Sequence, residues 1–89
     1  MLNVMNMIQK TSLENFMKFA LALENGVNVR YIQKKTDFTY SYCFFYIREF
    51  EKLGMIETKK HGRDRIVYVT ELGNELILTV KRLKDLLSR

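Results

Sequence analysis

The chain contains no proline, one cysteine, one histidine and four glycines among 89 residues. With so few residues that interrupt a helix, helices are the expected majority element. The lone Cys43 excludes an intrachain disulfide and a cysteine-rich zinc site, which makes an intracellular protein the default expectation. His61 has no second histidine to complete a ligand set. The chain also has no GxxxxGK phosphate loop and no nucleophile elbow, so no catalytic residue, metal or cofactor is expected. No apolar run approaches membrane-spanning length. The segment from Met1 to Ile8 is apolar but has neither a basic leader nor a long apolar core, so it makes a poor signal peptide, and a cytoplasmic location is expected.

What is present describes a small globular protein. Hydrophobic residues make up 47% and charged residues 28% of the chain, which excludes disordered and collagen-like classes. One domain over residues 1–89 is expected, with a thin core to which assembly would add. The net charge is +5, which favours a polyanionic partner. The excess is densest between residues 55 and 70, where Lys59, Lys60, Arg63 and Arg65 outnumber Glu57 and Asp64.

Thr11-Ser12-Leu13-Glu14 fits a capping box, and Leu13, Phe16, Met17, Ala20 and Leu23 recur at helical spacing. These residues predict a helix over 12–25, stopped by Asn25-Gly26. Val27-Asn28-Val29 suits one edge pairing. A short helix follows over 30–36, with Ile32 and Tyr31 inward and Lys34 and Lys35 outward. Thr36-Asp37-Phe38-Thr39 is read as a turn, after which Thr39 caps a helix over 39–53. Cys43, Ile47 and Phe50 form its core face, and Gly54 ends it. Met55 to Lys60 and Arg65 to Val69 read as two strands around a tight turn at Gly62. Thr70 caps a last helix over 71–88, where Leu72, Leu76, Val80, Leu83 and Leu87 approach a heptad seam. For the first ten residues, Met1, Met5 and Ile8 suit a helix and Leu2 and Val4 suit a strand.

A short helix, a turn and a longer helix make a helix-turn-helix over about 30–53, whose second helix enters the major groove. Opposite the core face of that second helix stand Ser41, Phe45, Arg48 and Lys52, with Tyr40 and Tyr42 near its start. Arg48 suits guanine O6 and N7, while Ser41, Tyr40 and Tyr42 suit phosphate, and Thr39 is a further candidate DNA contact. The plainer reading of Arg48 and Lys52 is a solvated helix face. Phe45 either meets a thymine methyl or packs on a neighbouring element. The run Phe38, Phe44 and Tyr46 goes around the helix and suits packing better than base stacking. Lys59, Lys60, His61, Gly62, Arg63 and Arg65 form a basic hairpin tip able to neutralise phosphates, or else a hairpin kept soluble by its charge. Lys34 and Lys35 are further candidate phosphate contacts. Asp37, Glu49, Glu51 and Asp64 read as helix-start, helix-surface and turn residues, and Cys43 as a buried structural thiol.

The segments Ile47 to Ile56 and Arg65 to Leu76 carry a resemblance to the winged helix-turn-helix transcription regulators, particularly the MarR-like and small archaeal dimeric types. The resemblance covers roughly residues 12–87. The proline-free make-up is also similar to winged-helix proteins of thermophilic archaea and their viruses; a viral protein would work in the host cytoplasm. The resemblance implies an α+β, mostly α fold: a three-helix core, a two- or three-stranded wing over about 55–69, and a last helix that pairs two copies. It implies double-stranded DNA as partner, with the helix over 39–53 in the major groove and the tip over 59–65 on the backbone or minor groove. Leu72, Leu76, Val80, Leu83 and Leu87 are the expected homodimer interface, although the same stripe could instead complete the monomer core. No separate ligand domain is present, so no small-molecule ligand is expected. The alternative is a protein-interaction module that uses the aromatic surface around Phe45.

Overall fold

The computed structural model describes residues 3–89. Among them are five helices and one three-stranded antiparallel sheet, in the order α1 (Val4–Lys10), α2 (Leu13–Ala22), β1 (Val27–Asn28), α3 (Val29–Thr36), α4 (Tyr40–Lys52), β2 (Ile56–His61), β3 (Asp64–Val69) and α5 (Glu71–Leu87). No helix of the described residues is long and apolar enough to cross a membrane.

The undecided N-terminal segment is helical from Val4. Asn3 caps it by accepting the Asn6 N–H at 2.9 Å. Met7 enters the core with Val4 and Ile8 packed beside it, and Met5 faces solvent. Met1 and Leu2, which weighed in the sequence reading, lie outside the described residues. This helix displaces the expected capping box by one residue. Thr11 belongs to the end of α1, where its hydroxyl donates to the Met7 carbonyl at 3.0 Å, and Ser12 caps α2 by accepting the Asn15 N–H at 3.1 Å. Leu13, read as core, is exposed, because α2 turns Phe16, Phe19 and Ala20 inward instead.

α2 also ends earlier than expected, at Ala22. Asn25 and Gly26 do not stop the helix; they attach the chain to the sheet. The Asn25 side chain accepts the Val69 N–H at 2.6 Å, and the Gly26 N–H donates to the Val67 carbonyl at 2.8 Å. β1 thereby pairs with β3, Val27 opposite Val67 and Asn28 opposite Ile66, giving the strand order β1-β3-β2.

Asn28 and Thr39 cap α3 and α4. The turn between them passes through Asp37 in the left-handed region at φ 61°. α4 ends in a Schellman motif: the Met55 N–H donates to Phe50 O at 2.9 Å and the Gly54 N–H to Glu51 O at 3.1 Å, with Gly54 at φ 75°. β2 and β3 pair in register from Ile56–Val69 to His61–Asp64. That register leaves Gly62-Arg63 as a two-residue loop, and Gly62 at φ 61° supplies the positive angle that a tight hairpin places first.

Thr70 starts α5 by accepting the Gly73 N–H at 3.1 Å, and its hydroxyl lies 2.6 Å from Gly54 O. Gly73 is a space requirement rather than a flexibility one. A Cβ there would collide with the Met55 carbonyl and come within 2.8 Å of Val69 Cγ1. The core is aromatic at its centre, where Phe19 stacks on Tyr46 with ring centroids 5.0 Å apart and meets Phe50 edge-on at 4.8 Å.

Candidate nucleic-acid interface

α4 is oriented by its buried side, Cys43, Tyr46, Ile47 and Phe50. Burial alone raises the Cys43 thiol pKa to about 11, so it is protonated at neutral pH. It also pushes the Tyr46 hydroxyl well above its ordinary range. The opposite side presents Ser41, Arg48 and Lys52 to solvent, as its helical spacing requires. Arg48 takes part in no ion pair among the described residues, whereas the Lys52 ammonium lies 3.7 Å from the Glu49 carboxylate. Glu49 itself is 8% exposed, not the surface residue its sequence position suggested, and its Oε2 accepts no hydrogen bond.

The start of α4 divides its aromatics. Tyr40 is 59% exposed and stacks on Phe44 at 5.8 Å. Tyr42 is half-buried, and its hydroxyl accepts from Asn15 Nδ2 at 3.1 Å and meets the Tyr46 hydroxyl at 3.4 Å. An internal network thus engages the Tyr42 hydroxyl, whose sequence position suits phosphate. Phe45 is half-buried too, its ring 5.5 Å from Tyr46 and 6.4 Å from Tyr42. Phe38 stacks on Tyr46 at 5.8 Å. Thr39 spends its hydroxyl on the cap, accepting the Tyr42 N–H at 3.2 Å. On α3, Lys34 is exposed, while Lys35 lies 3.7 Å from Glu24 and 5.3 Å from the Tyr31 ring. The Tyr31 hydroxyl, and then Glu24, hold the Lys35 ammonium above its usual pKa.

In the hairpin, Lys59, Lys60, His61, Gly62 and Arg63 are exposed, and Lys59 lies over the Tyr68 ring at 5.7 Å. Arg65 is only half-exposed. Its Nη1 donates to Thr58 Oγ1 at 2.9 Å, that hydroxyl donates to Glu51 Oε2 at 2.7 Å, and the guanidinium sits 6.0 Å from the Phe44 ring. This chain of contacts ties the root of the hairpin to α4.

Between α3, α4 and the hairpin lies a cleft of about 400 Å³, lined by Val29, Arg30 and Gln33, by Tyr40 and Phe44, and by Lys60, Arg63, Asp64 and Arg65. Arg30 and Gln33 were not among the residues singled out from sequence. Nothing local marks them. They reach the hairpin because Asn28 pairs with Ile66, which sets the first turn of α3 beside Asp64 and Arg65. A shallower groove on the outward side of α4, lined by Ser41, Phe45, Arg48 and Lys52 among others, shares Phe44 with the cleft. The outward groove of α4 and the cleft beside the basic hairpin therefore adjoin at Phe44. No group of three or more His, Cys, Asp or Glu able to hold a metal occurs among the described residues.

Of the expected interface leucines on α5, Leu72 and Leu87 are exposed and Leu76 and Leu83 are half-buried. Val80 is 3% exposed and belongs to the core with Ile77. The expected seam is corrected by that burial. Among the apolar positions that remain, Leu72, Leu76, Leu83 and Leu86, with Thr79 between, keep alternating four- and three-residue spacing, and Leu78 and Leu87 are exposed beside them.

No protein-family model matches the chain. An uncharacterised protein of Archaeoglobus fulgidus is 30% identical over 63 residues, which span 71% of this chain and 66% of that protein. Among solved structures, one from Archaeoglobus fulgidus superposes with a TM-score of 0.81 at 24% identity, over 93% of this chain and 98% of its own. A DNA-binding protein from Sulfolobus solfataricus gives 0.76 at 15% identity, over 88% and 82%. A MarR-family transcriptional regulator from Rhodococcus gives 0.67 at 20% identity; this chain spans 56% of it, and the match covers 85% of this chain. The fold is the winged helix: α3 and α4 are its helix-turn-helix, and β2 and β3 its wing.

Proposed function

We propose that this winged-helix chain binds double-stranded DNA as a homodimer and regulates transcription in the cytoplasm, with α4 in the major groove and the wing on the backbone or minor groove. One observation carries the reading. Arg48 on α4 and Lys60 and Arg63 on the wing are exposed on two concavities that adjoin at Phe44, and none is paired with an acid among the described residues. Cations left unneutralised inside the protein are the ones available to phosphate, and each phosphate engaged releases counterions. Arg48, projecting from the middle of α4, is the residue for a guanine edge. That similar folds include a protein described as DNA-binding and a MarR-family regulator supports the same reading.

The α5 stripe supports the homodimer. Covering a leucine fully is worth about 1.5–3 kcal/mol, and a two-fold seam counts each leucine twice. The stripe can therefore offset an association cost of about 4–15 kcal/mol. Two copies would present two α4 helices to half-sites about one helical turn apart.

The test is a salt titration of binding to duplex DNA. Binding should weaken with a log–log slope of roughly −0.9 per phosphate engaged. Arg48→Ala should flatten the preference among sequences more than it changes the slope. Absence of salt-sensitive duplex binding would sink the proposal.

A further inference from the structure

The cleft beside the wing tip distributes its cations unevenly. Arg30, Lys60 and Arg63 line it without an ion pair among the described residues, and Asp64 is its one carboxylate. Arg65 lines it too but is engaged by Thr58 and the Phe44 ring, with Glu51 one hydrogen bond further on. The strand register sets Lys60 directly opposite Arg65. Like charges facing each other across a ladder repel, and an anion held by Lys60 relieves the repulsion.

We propose that this cleft seats a phosphate group held by Arg30, Lys60 and Arg63, and that Arg65 is a positioning residue which braces the wing against α4 without touching the ligand. The seat draws one cation from α3 and two from the wing, so a phosphate bound there also locks the angle between them. Phe44 and Tyr40 wall the cleft on the α4 side, and Arg30 and Gln33 from α3 and Lys60, Arg63 and Arg65 from the wing line the rest of it with donor-bearing side chains. The source of the phosphate is the backbone of the duplex, and in that respect the inference rests on the DNA-binding reading.

The experiment measures duplex affinity against salt for the wild type, Arg30→Ala, Arg65→Ala and the exposed α5 control Lys84→Ala, with inorganic phosphate added in a second arm at constant ionic strength. Arg30→Ala should cost about tenfold in affinity and make the slope shallower by roughly 0.9. Arg65→Ala should lower affinity with the slope unchanged, and Lys84→Ala should change neither. In the second arm, phosphate that leaves duplex binding unaltered confirms the duplex as the source. Phosphate that displaces duplex from the wild type but not from Arg30→Ala keeps the seat and makes its occupant the free anion. A wild type that binds duplex with Arg30→Ala unchanged, or a slope that falls for Arg65→Ala instead, overturns the inference and leaves DNA binding standing. A wild type that binds no duplex, yet binds inorganic phosphate through Arg30, sinks the DNA reading and retains the seat.

Discussion

α4 and α5 start alike and finish differently. Each begins on a threonine cap and each is amphipathic. α4, over 13 residues, buries Cys43, Tyr46, Ile47, Glu49 and Phe50, and Tyr40 at its first position is its one large exposed hydrophobic. α5, over 17 residues, buries only Gly73, Ile77 and Val80, while Leu86 is 53% and Leu87 64% exposed. The monomer finishes the apolar side of α4 and turns its polar side outward. It uses one narrow face of α5 and leaves leucine exposed at both ends and in the middle. A helix that turns an unpaired arginine and a serine hydroxyl outward is suited to a polar partner, and one whose surplus is leucine to another apolar surface.

The largest effect expected from breaking this contrast is at Phe50, whose ring is fully buried between Phe16 and Phe19. Phe50→Ala should cost about 3–5 kcal/mol in urea unfolding; a cost below 1 kcal/mol would mean that α4 is not the centre of the core. Gly73→Ala should follow. It forces α5 away from the Met55 carbonyl and should lower stability by roughly 1–3 kcal/mol, despite alanine's better helix propensity, as a drop in melting temperature. Leu86→Glu sharpens the comparison, because it should leave monomer stability within about 0.5 kcal/mol and abolish the dimer. The wild-type melting temperature should rise with protein concentration and that of the variant should not; a wild type that melts independently of concentration would place α5 alongside α4 as a helix satisfied within the monomer.

The smallest effect concerns Cys43, on the finished side of α4. Its thiol pKa is raised from 9.0 to about 11 by burial, so the folded protein retains a proton that the unfolded chain loses first. Its contribution to stability is fully present below pH 9.0, declines above it and is gone once the pH passes 11. Native-state alkylation at neutral pH should be slow and should accelerate in denaturant. Prompt modification of the folded protein would show that the α4 core opens.

The order of elements was legible because its signals are local. Thr39 and Thr70 cap, Gly54 and Gly62 supply positive φ, and Ile47 and Phe50 keep helical spacing, each acting over a few residues. Other features are decided by distant residues. Tyr42 has the sequence position of a phosphate contact, but Asn15, 27 residues earlier, takes its hydroxyl. Arg65 has the charge of a wing contact, but Thr58 and Phe44 hold it. Val80 keeps the spacing of a seam residue, but the core claims it. Spacing defines a stripe on a helix without saying where the core ends and the surface begins.

By itself the amino-acid sequence determined the helix-turn-helix, the glycine-turned basic hairpin and the leucine-rich last helix, because caps, turns and periodicity act between near neighbours along the chain. The tertiary structure decided which of their side chains remain available. Val27 pairs with Val67 across a span of chain that no local rule crosses. That pairing brings Arg30 to the wing and makes a cleft from residues that carry no common signal in sequence.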